Sequence, residues 1–125
     1  MNKTNTAADR YQIYTGYKNE TTLDSRTQVG AAFKEQSLNH YTITLMMFPG
    51  MKYYLVKNFN EAGKYTIYSK MIFDQSKPSK IRFLNPVGYG HLDSKLQSYL
   101  ELKLPLLRCH LFMSLYPDAL NQKAA

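Results

Sequence analysis

Two stretches of the chain run through the same succession of patterns. Val29-Gly30 precedes the alternating run Tyr41-Thr42-Ile43-Thr44-Leu45, then Phe48-Pro49, then the basic, aromatic run Lys52-Tyr53-Tyr54-Leu55-Val56. Val87-Gly88 precedes Tyr99-Leu100-Glu101-Leu102-Lys103-Leu104, then Pro105, then Arg108-Cys109-His110-Leu111-Phe112. The offset is 58 residues at the Val-Gly and Tyr positions and 56 from Pro49/Pro105 to Leu55/Leu111, so the match needs a deletion just before the second proline. The unit reads as strand, turn, strand, proline break, strand. A repeat of that kind sets the unit of the fold before any single residue is interpreted.

Period-two alternation extends through most of the chain. Tyr11, Ile13 and Tyr17 share one face, as do Val29, Ala31 and Phe33, and then Tyr41, Ile43, Leu45 and Met47. Side chains that alternate in this way place one set on a buried sheet face and the other on the opposite face. Lys18 to Ser25 reads as a polar turn, Lys34 to Asn39 as a hairpin loop, and Phe48-Pro49-Gly50 as a break, because proline lacks an N–H and glycine tolerates turn dihedrals. Lys64 to Phe73 reads as a long strand, and Asp74 to Ser79, at the midpoint between the repeats, as a loop. Lys80 to Leu84 is a short strand ended by Asn85-Pro86, and Gly88-Tyr89-Gly90 reads as a bulge or sharp turn. Leu92 to Leu96 is spaced for a helical turn, and residues 117–125 for a frayed tail. The expected fold is mainly β: an antiparallel sheet of about eight strands, rolled or barrel-like. It is built from two related halves, about 26–57 and 82–115, within a single domain over 1–125.

Composition narrows the function classes. The chain has 125 residues, 44% of them hydrophobic, which suffices for a core without disulfide staples. No apolar run approaches the roughly 20 residues of a membrane-spanning helix, and the residues after Met1 lack the apolar stretch of a signal peptide. The lone Cys109 has no internal disulfide partner. A cytoplasmic protein with no membrane partner is expected. The net charge is +7 and unevenly placed: residues 50–110 carry ten Lys/Arg against four acids, while residues 1–49 are nearly balanced. A concentrated cationic surface attracts nucleic acid first and an acidic protein second.

Aromatic residues interleave with that charge. Tyr53, Tyr54, Tyr65, Tyr68 and Phe73 lie among Lys52, Lys57, Lys64 and Lys70. Flat rings stack on unpaired bases and lysines neutralise phosphates, so this pattern fits a single-strand platform. The candidate nucleic-acid-binding residues are Lys52, Tyr54, Lys64, Tyr68, Lys70, Lys80, Arg82 and Arg108. Tyrosines that pack with the ring inside and the hydroxyl at the rim are the structural alternative. Catalytic chemistry has no comparable pattern. Cys109 and His110 are neighbours on a strand and point to opposite faces, and no paired His or Cys ligand spacing occurs. His91 and Asp93 can share a face as a structural pair. Glu101 reads as a solvent-facing partner of Lys103. No enzyme activity, metal or cofactor is expected.

Arg26-Thr27-Gln28-Val29-Gly30-Ala31-Ala32-Phe33, with Tyr41 to Leu45 and Phe48-Pro49-Gly50, resembles a pattern of small uncharacterised bacterial proteins of plasmids, phages and integrative elements. Their pattern runs Ile/Val-Gly-Ala-Ala-aromatic, a short polar loop, an alternating strand ending near Leu-Pro, and a strand with a basic residue. The resemblance covers about residues 26–57 and departs at Gln36-Ser37-Leu38-Asn39, where an Asp-Gly-Lys-Gly type of turn is usual. It implies a mobile-element or phage setting and brings no functional residue with it.

Two expectations follow. The first is a non-enzymatic protein that binds nucleic acid, single-stranded DNA or RNA, through a lysine–tyrosine sheet face. The second is a protein-binding inhibitor or adaptor, such as an anti-CRISPR or another phage-encoded antagonist of a host nuclease complex. An exposed edge strand would also allow a homodimer.

Overall fold

Tyr11, Ile13, Tyr41, Ile43 and Leu45 point into the centre of a ring as the alternation predicts, but over 29–33 the core takes Ala32 rather than Ala31 and Phe33, and Tyr17 and Met47 are exposed. The computed structural model describes residues 8–73, 80–108 and 110–118. The loop expected over 74–79, Cys109, and the tail beyond 118 lie outside the described residues. The elements are all strands: β1 (Ala8–Asn19), β2 (Thr22–Glu35), β3 (His40–Leu45), β4 (Tyr53–Lys57), β5 (Lys64–Phe73), β6 (Ile81–Leu92), β7 (Tyr99–Lys103) and β8 (His110–Ser114). Each pairs antiparallel with the next, and β8 returns to β1, which closes the barrel. Ile13, Ala32, Ile43, Leu55, Ile67, Leu100, Leu102 and Leu111 fill the interior. Tyr11, Tyr41, Tyr53 and Tyr65 pack against that core, and burial pushes the Tyr41 hydroxyl up to about 12, with Tyr11 and Tyr65 adding to it. Among the described residues no helix is long and apolar enough to cross a membrane.

Closure is brief. β1 meets β8 only at Ile13↔Met113, Tyr14↔Phe112 and Thr15↔Leu111. A closed ring leaves no free edge in the barrel itself, so edge-to-edge dimerisation would have to use the segments that extend beyond it.

Two such segments exist. The β1–β2 ladder runs on from the ring to Asn19↔Thr22, and the β5–β6 ladder runs on to Phe73↔Ile81. Each ladder shifts register near the end of the barrel, between Ile13 and Tyr14 and again between Thr15 and Tyr17 in one, and between Ile67 and Tyr68 in the other. Such shifts bend a strand and increase its local twist. The similar runs Tyr11-Gln12-Ile13-Tyr14-Thr15 and Tyr65-Thr66-Ile67-Tyr68-Ser69 therefore sit at similar bends. Both arms bend back onto the outer wall. In the first, Arg26 lies 4.8 Å over the Tyr14 ring and donates to the Tyr99 hydroxyl at 2.8 Å. In the second, Phe83 packs 5.0 Å from His40, 6.0 Å from Tyr54 and 5.8 Å from Tyr68.

Gly30 and Gly88 occupy matching places. A Cβ on Gly30 would fall well inside contact with the Thr44 carbonyl oxygen and beside Leu45; on Gly88 it would meet the Lys103 carbonyl oxygen and Leu104 in the same way. The ladders correct the alignment read from sequence in one respect. Counted from these glycines, the residue matching Tyr41 is Leu100 rather than Tyr99. Tyr41 packs against the core, whereas Tyr99 bonds Arg26 on the outer wall. A one-residue slip moves a side chain to the other face.

Three local expectations are also corrected. Residues 18–25 are not one loop: both strands continue and turn only at Glu20-Thr21. β6 runs through Asn85-Pro86, because Pro86 sits beside the register shift and Asn85 takes a positive φ of 61°. Gly88-Tyr89-Gly90 is paired strand rather than a turn, and residues 93–96 form no helix.

Candidate functional site

The eight candidate residues fall into separate groups. Tyr54 and Tyr68 face each other across β4 and β5 on the outer wall. Their rings are engaged by the protein itself, since Phe83 lies tilted over both and His40 meets Tyr54 edge-on at 6.0 Å. His40 is buried beneath this cover, and burial lowers its pKa below the ordinary histidine value, partly offset by Glu35. In place of a free-standing platform, Tyr54 and Tyr68 are half-buried members of an aromatic cluster. Its cause is the second arm, which the local alternation does not reveal.

The cations on that arm remain outside. Lys70, Lys80 and Arg82 are exposed, and none has a carboxylate partner among the described residues. Lys70 pairs across from Leu84, and Arg82 from Ile72, two residues along the ladder and about 7 Å away. Phe73, opposite Ile81 at the tip of the arm, is 61% exposed, and alternation sets it on the other face of the ladder from Lys70 and Arg82. Lys64 stands at the far end of β5, 3.6 Å from Glu61. Lys52 and Arg108 lie in the β3–β4 and β7–β8 loops at one end of the barrel.

The sequence pairs His91 with Asp93; in the structure both join a larger group, His91 against Glu101 and Asp93 against Lys18. Glu101 does not pair with Lys103 in solvent: it is 4% exposed on the outer wall of β7. Its Oε1 is 3.4 Å from His91 Nε2 and 3.9 Å from Lys18 Nζ, and its Oε2 is 2.5 Å from His110 Nδ1. The β-ladder explains the arrangement, since His91 lies directly across from Glu101, and Lys103 faces His110 instead. Lys18 reaches in from the first arm and also meets Asp93 Oδ2 at 2.5 Å. Asp93 Oδ1 accepts from the backbone N–H groups of Lys95 and Leu96. The Lys18 ammonium, with those amides, holds the Asp93 carboxyl well below the usual carboxylate range. The side-chain donor atoms of His91, Asp93 and Glu101 lie within 4.8 Å of one another. Alternation already put Glu101 outward; what buries it is a neighbour some eighty residues earlier in the chain.

No protein-family model, curated protein or solved structure matches this chain.

Proposed function

We propose that the protein is a non-enzymatic binder of single-stranded nucleic acid, acting in the cytoplasm in a mobile-element or phage setting through the β5–β6 arm. The observation that carries this reading is the β5–β6 arm itself, where Lys70, Lys80 and Arg82 are exposed with no carboxylate partner among the described residues, Lys70 and Arg82 sharing one face of the ladder. Cations that track phosphates along an arm, with an exposed ring at its tip to stack a base, suit a sequence-tolerant single-strand contact. The net charge of +7 adds long-range attraction. We further read the two arms as corresponding parts of a duplicated chain, supported by the matching bends and the matching glycines.

The test is a titration of labelled single-stranded DNA and RNA at two salt concentrations. Each phosphate neutralised on a single strand contributes about −0.7 to the slope of log K against log salt. Three arm contacts give a slope of about −2, or about a twentyfold loss between 50 and 200 mM salt. Arg82→Ala should weaken binding and make the slope shallower by about 0.7. Absence of binding at low salt overturns the reading.

One observation favours the second reading, a protein-binding inhibitor or adaptor of the kind that antagonises a host nuclease complex. Met46, Met47, Met51 and Leu106 stand exposed at one end of the barrel, Leu106 at 92%, beside an apolar cleft of about 360 Å³ lined by Leu45, Phe48 and Leu104. Flexible methionines at an exposed apolar rim suit adaptable protein contacts. Such binding would be insensitive to salt and lost in Leu106→Glu.

A further inference from the structure

The cluster around Glu101 has the chemistry of a cation site that a lysine now fills. A buried carboxylate is costly unless its charge is matched, and here Lys18 Nζ bridges Asp93 Oδ2 and Glu101 Oε1 at 2.5 and 3.9 Å. His91 Nε2 sits on the same oxygen of Glu101, at 3.4 Å. Two ligands on a tetrahedral zinc ion stand about 3.3 Å apart, given bond lengths near 2.0–2.2 Å. His91 and Glu101 already meet that spacing.

The other atoms are arranged to support it. Backbone N–H groups hold Asp93 Oδ1, which leaves Oδ2 facing the cluster. His110 holds the second Glu101 oxygen, Oε2, and so fixes the orientation of the first. That is the part an outer-shell partner plays around a bound metal. All three donor side chains fall within 4.8 Å of one another, so only Asp93 and Lys18 must shift for them to close on an ion.

We propose that His91 Nε2, Asp93 Oδ2 and Glu101 Oε1 form a binding site for a divalent transition-metal ion of the zinc class, with Lys18 as the competing resident cation and His110 as a positioning residue. One imidazole with two carboxylates selects zinc-like ions over magnesium, which prefers an all-oxygen octahedral shell rich in water. The proposal is independent of nucleic-acid binding.

Calorimetric titration of the full chain with zinc chloride tests it, on a Cys109→Ser background that removes the single thiol as a ligand. The expected result is one ion per chain, with magnesium binding at least a hundredfold weaker. His91→Ala should lower zinc affinity at least a hundredfold, and His110→Ala about tenfold, in the range seen when outer-shell partners are removed. Lys18→Met should do the reverse and tighten binding at least fivefold, an effect that general loss of structure cannot produce. Cobalt(II) bound to the same protein should show visible absorption that disappears in His91→Ala. Glu101→Gln risks unfolding, because the residue is buried; the partly exposed His91 and Lys18 keep the test decisive. Zinc binding unchanged in His91→Ala, weaker in Lys18→Met, or matched by magnesium overturns the assignment.

Discussion

Gly30 and Gly88 are the residues at which one added carbon is least tolerated. A Cβ at either would press on a backbone carbonyl oxygen of the neighbouring strand, Thr44 or Lys103, which cannot swing aside as a side-chain end can. Gly88→Ala, and likewise Gly30→Ala, should therefore cost about 3 kcal/mol, at the upper end for overpacking. Gly50 offers the control: its φ is +82° and nothing lies within 4 Å of an added Cβ, so Gly50→Ala should cost only the strain of that backbone conformation, about 1 kcal/mol. Urea unfolding of the three variants checks the order; equal losses at Gly50 and Gly88 would contradict the steric account. Both Val-Gly pairs were legible in the sequence as landmarks. The nature of Glu101 was not, although its outward direction was. Direction follows from parity along a single strand, but burial depends on Lys18 and the first arm, which the chain brings over β7 from far away.

At the scale of elements, the arms are the least legible feature of the chain. Lys64 to Phe73 read correctly as one strand, because its alternation is intact. Nothing local shows that half of it leaves the ring, since the bend arises from a register shift against β6. The first arm is fainter still: apart from Leu23, residues 18–25 are polar, so no apolar face marks them as strand. The second arm is pinned by Phe83, whose ring meets three others on β3, β4 and β5. A fully buried Phe→Ala change costs about 3–5 kcal/mol. Phe83 is half-buried, so Phe83→Ala should cost about 2 kcal/mol. The loss should also be local. Hydrogen exchange should speed up at the arm rungs Lys70↔Leu84 and Met71↔Phe83, while the barrel rungs Leu55↔Ile67 and Leu102↔Leu111 keep their protection. Uniform loss of protection across both would mean that the arm is an integral part of the barrel rather than a flap docked on it.

For the molecule as a whole, a rolled or closed sheet was legible because several strands with one apolar face must cover that face. Which strands would meet was not, because the seam joins residues near opposite ends of the chain: Ile13 pairs with Met113, and Thr15 with Leu111. That separation bears on how the barrel forms. Closing a loop of about a hundred residues carries an entropic cost before any seam contact forms, while neighbouring strands of the meander pair at much shorter range. The seam should therefore close after the rate-limiting step, on a nucleus drawn from neighbouring strands such as β4, β5 and β6. Leu111 and Ile67 are both fully buried, one at the seam and one at the centre of that nucleus. Truncation of either to alanine should cost about 2–5 kcal/mol at equilibrium. The kinetics should separate them: Leu111→Ala should chiefly speed unfolding, with φ below about 0.3, and Ile67→Ala should chiefly slow folding, with φ above about 0.5. Stopped-flow chevrons in urea measure both values. A high φ at Leu111 with a low one at Ile67 would place barrel closure inside the nucleus and reverse the order of assembly argued from the topology.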